Sequence, residues 1–367
     1  MEYYYYYALV LTPLALVIRR NFLIAIMMIG GCWFLLTLPS TGYDYDYYKQ
    51  AYDNAYFDAG YPWFKTEAVL TAEPLYKWYT SFVSVVLPIE FQGFLALNFI
   101  LCLVISWFSL RGFRNIDLDL FWLAFVPVIF PTLFYFSPRS SISFFLVFLG
   151  FMSLIKGRNL FALLPLSLGI LIHSQYILVV VFFTVSYFSY RATVGLSERI
   201  RKRIGILILV LLGLSLLVVR YLMGVLASVL GLLPSADVAV SKLHYLEGSE
   251  TGYRLTAVLS ILVYPMIYMS VMWIKKKRGI YFLENEAQDR QFCHMIGLVV
   301  LFGALVNIVF FETSHLAGRL SRFSDYLCMG LLLPVFLKLF LKREGAVIAL
   351  WGMVWVAPLM YRTVYGF

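Results

Sequence analysis

The chain has 367 residues, of which 62% are hydrophobic, 18% aromatic and only 13% charged. A soluble domain carries charge on roughly a quarter of its residues, so this composition excludes an ordinary water-soluble globule. The formal net charge of +9 then argues for basic loops at a membrane surface, not for nucleic acid.

Apolar runs near the roughly 20 residues that cross a bilayer recur along the chain, and several are short enough that they must tilt, extend or re-enter. In order they cover about 3–18, 21–38, 91–110, 119–136, 140–155, 160–174, 176–190, 204–221, 256–274, 293–311, 323–341 and 346–360. The expectation is an all-α polytopic membrane protein of about 12 transmembrane helices forming a single integral domain over 1–367. No cleavable signal, soluble domain or internal repeat is expected. Cys32, Cys102, Cys293 and Cys328 fall inside apolar runs, without metal spacing or a disulfide pattern.

Basic residues set the direction of the spans. Arg19-Arg20, Arg111 and Arg114, Lys156 and Arg158, the segment "RATVGLSERIRKR", "KKKR" at 275–278 and Lys342-Arg343 alternate onto one side. That side is expected to be cytoplasmic. The segment "EPLYKWYTSFVSVVLPI", Glu73 to Ile89, would reverse every later loop if it crossed. It is therefore expected as a re-entrant or interfacial helix on the outer face. Two large outer loops result, 39–90 and 222–255.

The first loop opens with "TGYDYDYYKQAYDNAYFDAG", Thr41 to Gly60. As a helix it aligns Tyr45, Tyr48, Tyr52 and Tyr56 on one face, with Asp46, Gln50 and Asp53 flanking them. Phenol rings over carboxylates suit an interfacial helix at headgroup level. They equally suit a sugar-binding surface of Asp44, Tyr45, Tyr48 and Tyr52, since ring faces pack on pyranose C–H groups and carboxylates accept hydroxyl protons. The two readings are compatible. "DYD" at 44–46 also has the spacing to share a divalent cation.

The other outer features are cationic. Arg139 opens a span in "FSPRSSISFF", Arg254 opens another after the second outer loop, and Arg319 and Arg322 lie three apart in "HLAGRLSRFSDYL". Positive charge on the outer side opposes the usual topological bias, so these arginines are candidates for binding an anion such as a lipid-linked phosphate. Pairing with Glu73, Glu312 or Asp325 is the structural alternative. His173, in "GILIHSQYILVV", sits at the outer end of a hairpin and is either a satisfied core histidine or a proton carrier.

Taken together these segments resemble the EpsG-type branch of the Wzy polysaccharide polymerases. The resemblance rests on "DYDYYKQAY" followed by "EPLY", "PRSSISFFLVFLG", "LIHSQYILVV" and "RFSDYL", in that order along nearly the whole chain. Ser140 stands where the family usually has Gln. The resemblance implies a GT-C-like glycosyltransferase of the bacterial cytoplasmic membrane, with its site facing outward. Its substrates would be undecaprenyl-pyrophosphate-linked glycans, with membrane lipids and a chain-length regulator as partners and no nucleic acid. Arg139, Arg254, Arg319 and Arg322 would hold the pyrophosphate, and Asp46, Glu73 or His173 would take the acceptor's proton. Arginines already neutralise a pyrophosphate, so no metal and no cofactor is expected. A transporter or flippase of lipid-linked oligosaccharide is the competing class; an O-antigen ligase or another C-type transferase is the competing reaction.

Overall fold

The computed structural model describes residues 20–37, 43–57, 74–87, 89–116, 118, 121–122, 137–230, 257–310 and 314–341. Among these the regular structure is entirely helical. Four segments are long and apolar enough to cross a membrane: Phe91–Leu110, Pro138–Ile155, Glu286–Val309 and Ala317–Leu339. They coincide with expected spans at 91–110, 140–155, 293–311 and 323–341. The expected spans 3–18, 119–136 and 346–360 fall wholly or almost wholly outside the described residues. The chain divides into two compact units, the first carrying the helices up to Tyr176 and the second those from Ile177 to Phe336.

The first unit contains α1 (Arg20–Thr37), α2 (Tyr43–Phe57), α3 (Pro74–Val86), α4 (Phe91–Leu110), α5 (Pro138–Ile155) and α6 (Asn159–Ile172). A 3-10 turn over Ser174–Tyr176 closes it. Pro138 starts α5, where a missing N–H costs nothing. Helices α5 and α6 form an antiparallel hairpin in which small residues permit close approach. A Cβ on Gly169 would come within 2.7 Å of Val147 Cγ2 and 3.2 Å of the Ser143 carbonyl oxygen. Ser143 Oγ donates to the Gly169 carbonyl at 2.6 Å. This is the membrane solution to helix packing, in which dispersion and short polar contacts replace a hydrophobic driving force.

Aromatic rings fill the rest of this core. Trp122 stacks on Phe145 at 5.3 Å and Phe121 on Phe148 at 5.7 Å, while the Trp122 indole N–H donates to Ser106 Oγ at 2.7 Å. Helices α4 and α5 run parallel, with their C-terminal ends together. There Lys156 Nζ donates to the carbonyls of Ser109 at 2.9 Å and Arg111 at 2.6 Å. Arg111, Arg114, Lys156 and Arg158 thus gather at one end of the unit, and Arg139 stands at the other.

The second unit contains α7 (Ile177–Ala192), α8 (Glu198–Leu230), α9 (Tyr264–Arg278), α10 (Glu286–Val309) and α11 (Ser314–Leu327), which continues through a π-helical turn (Cys328–Leu332) into α12 (Leu333–Leu341), whose residues from Leu337 on are assigned to the first unit. A second π-helical turn, Leu259–Val263, leads into α9. Helix α10 is the hub. Phe302 on it stacks with Phe182 of α7 at 5.0 Å, and His294 meets Tyr190 at 5.1 Å. Gly205 and Gly213 of α8 lie against His294 and Leu305, so α8 runs parallel to α10 and α7 runs antiparallel.

The start of α10 is fixed by charge and caps. Asn285 Oδ1 accepts from the backbone N–H groups of Ala287 and Gln288. Asp289, fully buried, accepts from Phe282 N at 2.6 Å and Leu283 N at 3.2 Å and pairs with Lys275 at 2.5 Å. Burial acts to lower the Lys275 pKa, but hydrogen bonding to Asp289 and nearby negative charge outweigh it and raise the value. Gly279, at φ 63, ends α9 in the left-handed conformation that glycine adopts without strain. The basic run 275–278 therefore lies at the end of this unit where α8 and α10 begin.

Candidate functional site

In the first unit the candidate residues gather at the end opposite Lys156, where α2 packs against α3 and the start of α4. Tyr45, Tyr48 and Tyr52 share one face of α2, as their spacing requires, and all three are buried. Tyr45 packs edge-on against Phe91 at 5.2 Å. Tyr52 packs on Phe94 at 5.0 Å and donates to the Ile89 carbonyl at 3.0 Å. Tyr48 meets Tyr76 of α3 at 6.1 Å. These rings act here as packing that ties α2 to α3 and to the start of α4. Asp46 is exposed, and Lys49 and Asp53 form an ion pair along the helix surface. Glu73, Arg254 and the side chain of Asp44 lie outside the described residues.

Arg139 stands beside these rings. It is the second residue of α5, and its guanidinium carbon lies 5.9 Å from the centre of the Tyr48 ring. The N-terminus of an 18-residue helix adds its own attraction for anions beside the arginine. Ser137 and Ser140 share a hydrogen bond at 2.8 Å in the same turn. The antiparallel α6 returns the chain to this level, so that buried His173 faces Tyr176 at 6.0 Å and the Tyr176 hydroxyl donates to the Ser140 carbonyl at 3.4 Å. Arg139, Tyr48 and Tyr76 thus form one cluster, and His173 meets it through Tyr176 and Ser140.

Electrostatics narrow the roles within it. Burial pushes the Tyr76 hydroxyl pKa well up, the neighbouring Tyr48 adds to the effect, and Arg139 opposes it. Burial raises Tyr79 too, and lifts Tyr52 to about 12 with a further push from Asp53. These phenols stay protonated, and Tyr52 and Tyr79 serve as hydrogen-bond donors; none supplies a base near neutral pH. Tyr79 donates to Asn98 Oδ1 at 2.6 Å, and the buried Asn98 Nδ2 has no hydrogen-bond partner among the described residues.

In the second unit Arg319 and Arg322 lie on α11, Arg319 exposed and Arg322 half-buried. One turn further, Asp325 accepts from Ser321 Oγ at 2.7 Å and from Ser260 Oγ across the interface with the π turn before α9. From sequence, Asp325 stands as an ion-pair partner for the arginines. The signal that marks it is a carboxylate inside an apolar span with Ser321 four residues before it. Ser260 lies 65 residues away, and nothing local links the two.

The EpsG family model matches residues 20–366 of this chain. No protein of curated function and no solved structure matches it.

Proposed function

The chain belongs to the EpsG family, and on that premise we propose that it joins lipid-linked oligosaccharide repeat units into a surface polysaccharide. The family suggests a polymerase role of the Wzy type. The finer reading is glycosyl transfer on the outer face of a bacterial cytoplasmic membrane, with undecaprenyl pyrophosphate as the leaving group. About twelve crossings and a GT-C-like arrangement complete this picture.

The observation that carries the reading is Arg139 at the N-terminus of α5, over the Tyr48 ring and at the end of its unit away from Arg111, Arg114, Lys156 and Arg158. A basic cluster at one end fits the cytoplasmic rule, and an arginine at the other end needs a different reason. A planar guanidinium at a helix N-terminus suits a pyrophosphate, whose charge grows as the glycosidic bond breaks. In the second unit, taken alone, Lys275–Arg278 lie at the end where α10 begins, and Arg319 and Arg322 lie on α11, which follows the end of α10.

In this reading the acceptor hydroxyl attacks the anomeric carbon of the donor chain. The bond to pyrophosphate breaks, its electron pair leaves with the phosphate oxygen, and a base receives the hydroxyl proton. Asp46, Glu73 and His173 are candidates for that proton, and arginines neutralise the leaving group without a divalent cation.

Removing the gene from its host tests this directly. A polymerase defect leaves single repeat units displayed at the surface with no ladder of longer glycans. Loss of all displayed sugar with accumulation of long lipid-linked chains would instead indicate ligation. Repeat units stranded on the cytoplasmic side would indicate transport.

A further inference from the structure

The second unit holds an ionisable group that this reaction scheme leaves unused. Asp325 lies within the apolar segment Ala317–Leu339. A carboxylate at membrane depth is costly, so such residues serve a function by default or are paired. Its two oxygens are each engaged by a serine hydroxyl: Ser260 Oγ donates to Oδ1 and Ser321 Oγ to Oδ2. Tyr264 and Cys328 lie beside it, and Arg322 is one helical turn before it.

The backbone around Asp325 is also unusual. Ser260 is the second residue of the π turn Leu259–Val263, and the π turn Cys328–Leu332 begins three residues after Asp325. Turns of this kind cost hydrogen-bond geometry and occur frequently at functional sites. They shift the register of the helices on either side, which here lets the serine of one helix reach the carboxylate of another.

From this geometry we infer that Asp325 is the base that receives the acceptor hydroxyl's proton, with Ser260 and Ser321 as positioning residues; this rests on the glycosyl-transfer reading above. A latch between two helices needs no charge, and an amide would join the same serines at less desolvation cost. A carboxylate has about four lone-pair positions, and the two serines use two. The remaining ones leave room for a substrate hydroxyl, and Asp325 is half-buried where Ser321, Phe323 and Ser324 around it are buried. The proton passes from the attacking hydroxyl to a carboxylate oxygen as the new bond to the anomeric carbon forms. The anomeric bond to pyrophosphate breaks, and its electron pair departs with the phosphate.

The test uses full-length protein in detergent with lipid-linked repeat units extracted from the strain lacking the gene. Wild-type protein extends these units; if it does not, the polymerase reading fails before Asp325 is in question. Asp325→Asn keeps shape and hydrogen bonding but removes the base. It is expected to slow extension by about 10²-fold or more with little change in KM. Added formate is expected to restore part of the rate to Asp325→Ala, which a purely structural role would not allow. Extension by Asp325→Asn near the wild-type rate, or no formate rescue, overturns the assignment. Where Asp325→Asn does not accumulate, the double variant Ser260→Ala and Ser321→Ala decides. It keeps the carboxylate but removes the hydrogen bonds that hold it, so a lowered kcat with the acidic limb of the pH–rate profile moved upward supports the base, and an unmoved limb reassigns Asp325 to a latch.

Discussion

Residue by residue, the sequence reveals chemical character more readily than partners. The tyrosine spacing at 45, 48 and 52 announces one helix face, and the structure keeps it. What that face meets is tertiary: Phe91 and Phe94 lie at the start of a helix some forty positions on, and no local pattern encodes them. Arg139 and His173 stand out from sequence because polar groups are rare in apolar runs. Asp325 was legible as a charge but not as a held carboxylate, since Ser260 reaches it from a distant π turn. Lys156 offers a prediction at this scale. Burial, with Arg158 adding to it, lowers its pKa to about 8. Between that value and the ordinary lysine range near pH 10.4, the unfolded chain still holds a proton that the folded chain has released. Stability relative to Lys156→Met is therefore expected to rise with pH across this window. Thermal unfolding of both proteins in detergent at pH 7, 8, 9 and 10 measures it; a difference that stays flat or falls contradicts the shift.

Among the elements, hydropathy is a good guide where an apolar run matches the bilayer and a poor one beyond it. Helices α4 and α5 follow their apolar runs closely. Helix α8 extends from Glu198 to Leu230, well past the apolar stretch at 204–221. Its first turns, "ERIRKR", are polar, and polar residues of high helix propensity continue a helix that hydropathy alone would end. The π turns are equally hidden, because one added residue per turn leaves composition unchanged. Close packing of α5 on α6 gives a sharper test. At Gly169 a methyl group would meet the Ser143 carbonyl oxygen as well as a side chain, and backbone cannot swing away. Gly169→Ala is expected to destabilise by about 1–3 kcal/mol and to lower the melting temperature in detergent. Gly195→Ala, where a methyl group meets nothing within 4 Å, is the control and is expected to melt with the wild type. Equal melting of the two variants would mean that the hairpin packs less closely than described.

For the whole molecule, charge gives each unit a direction. Arg111, Lys156 and Arg158 share one end of the first unit, and Lys275–Arg278 share one end of the second with the start of α10. If both ends face the cytoplasm, cysteines placed at Lys49 and Lys242 in a background without native cysteines react with an impermeant thiol reagent in spheroplasts. A cysteine at Lys276 stays silent. Labelling at 276 with silence at 49 would invert the orientation and move every proposed outer residue inside. The central claim is the proposal that an arginine holds the pyrophosphate as it departs, and Arg139 of the first unit and Arg322 of the second are tested for that role separately. Losing one preorganised donor to a developing anion costs roughly 3 kcal/mol, or about 10²-fold in rate, and lysine cannot replace a planar fork. The measurement is the glycan ladder of cells carrying Arg139→Ala, Arg139→Lys, Arg322→Ala or Arg322→Lys, normalised to protein level. The account predicts displayed single repeats with little or no ladder in all four; a full ladder in both variants of either arginine would remove that residue from the role, and full ladders in all four would contradict the claim.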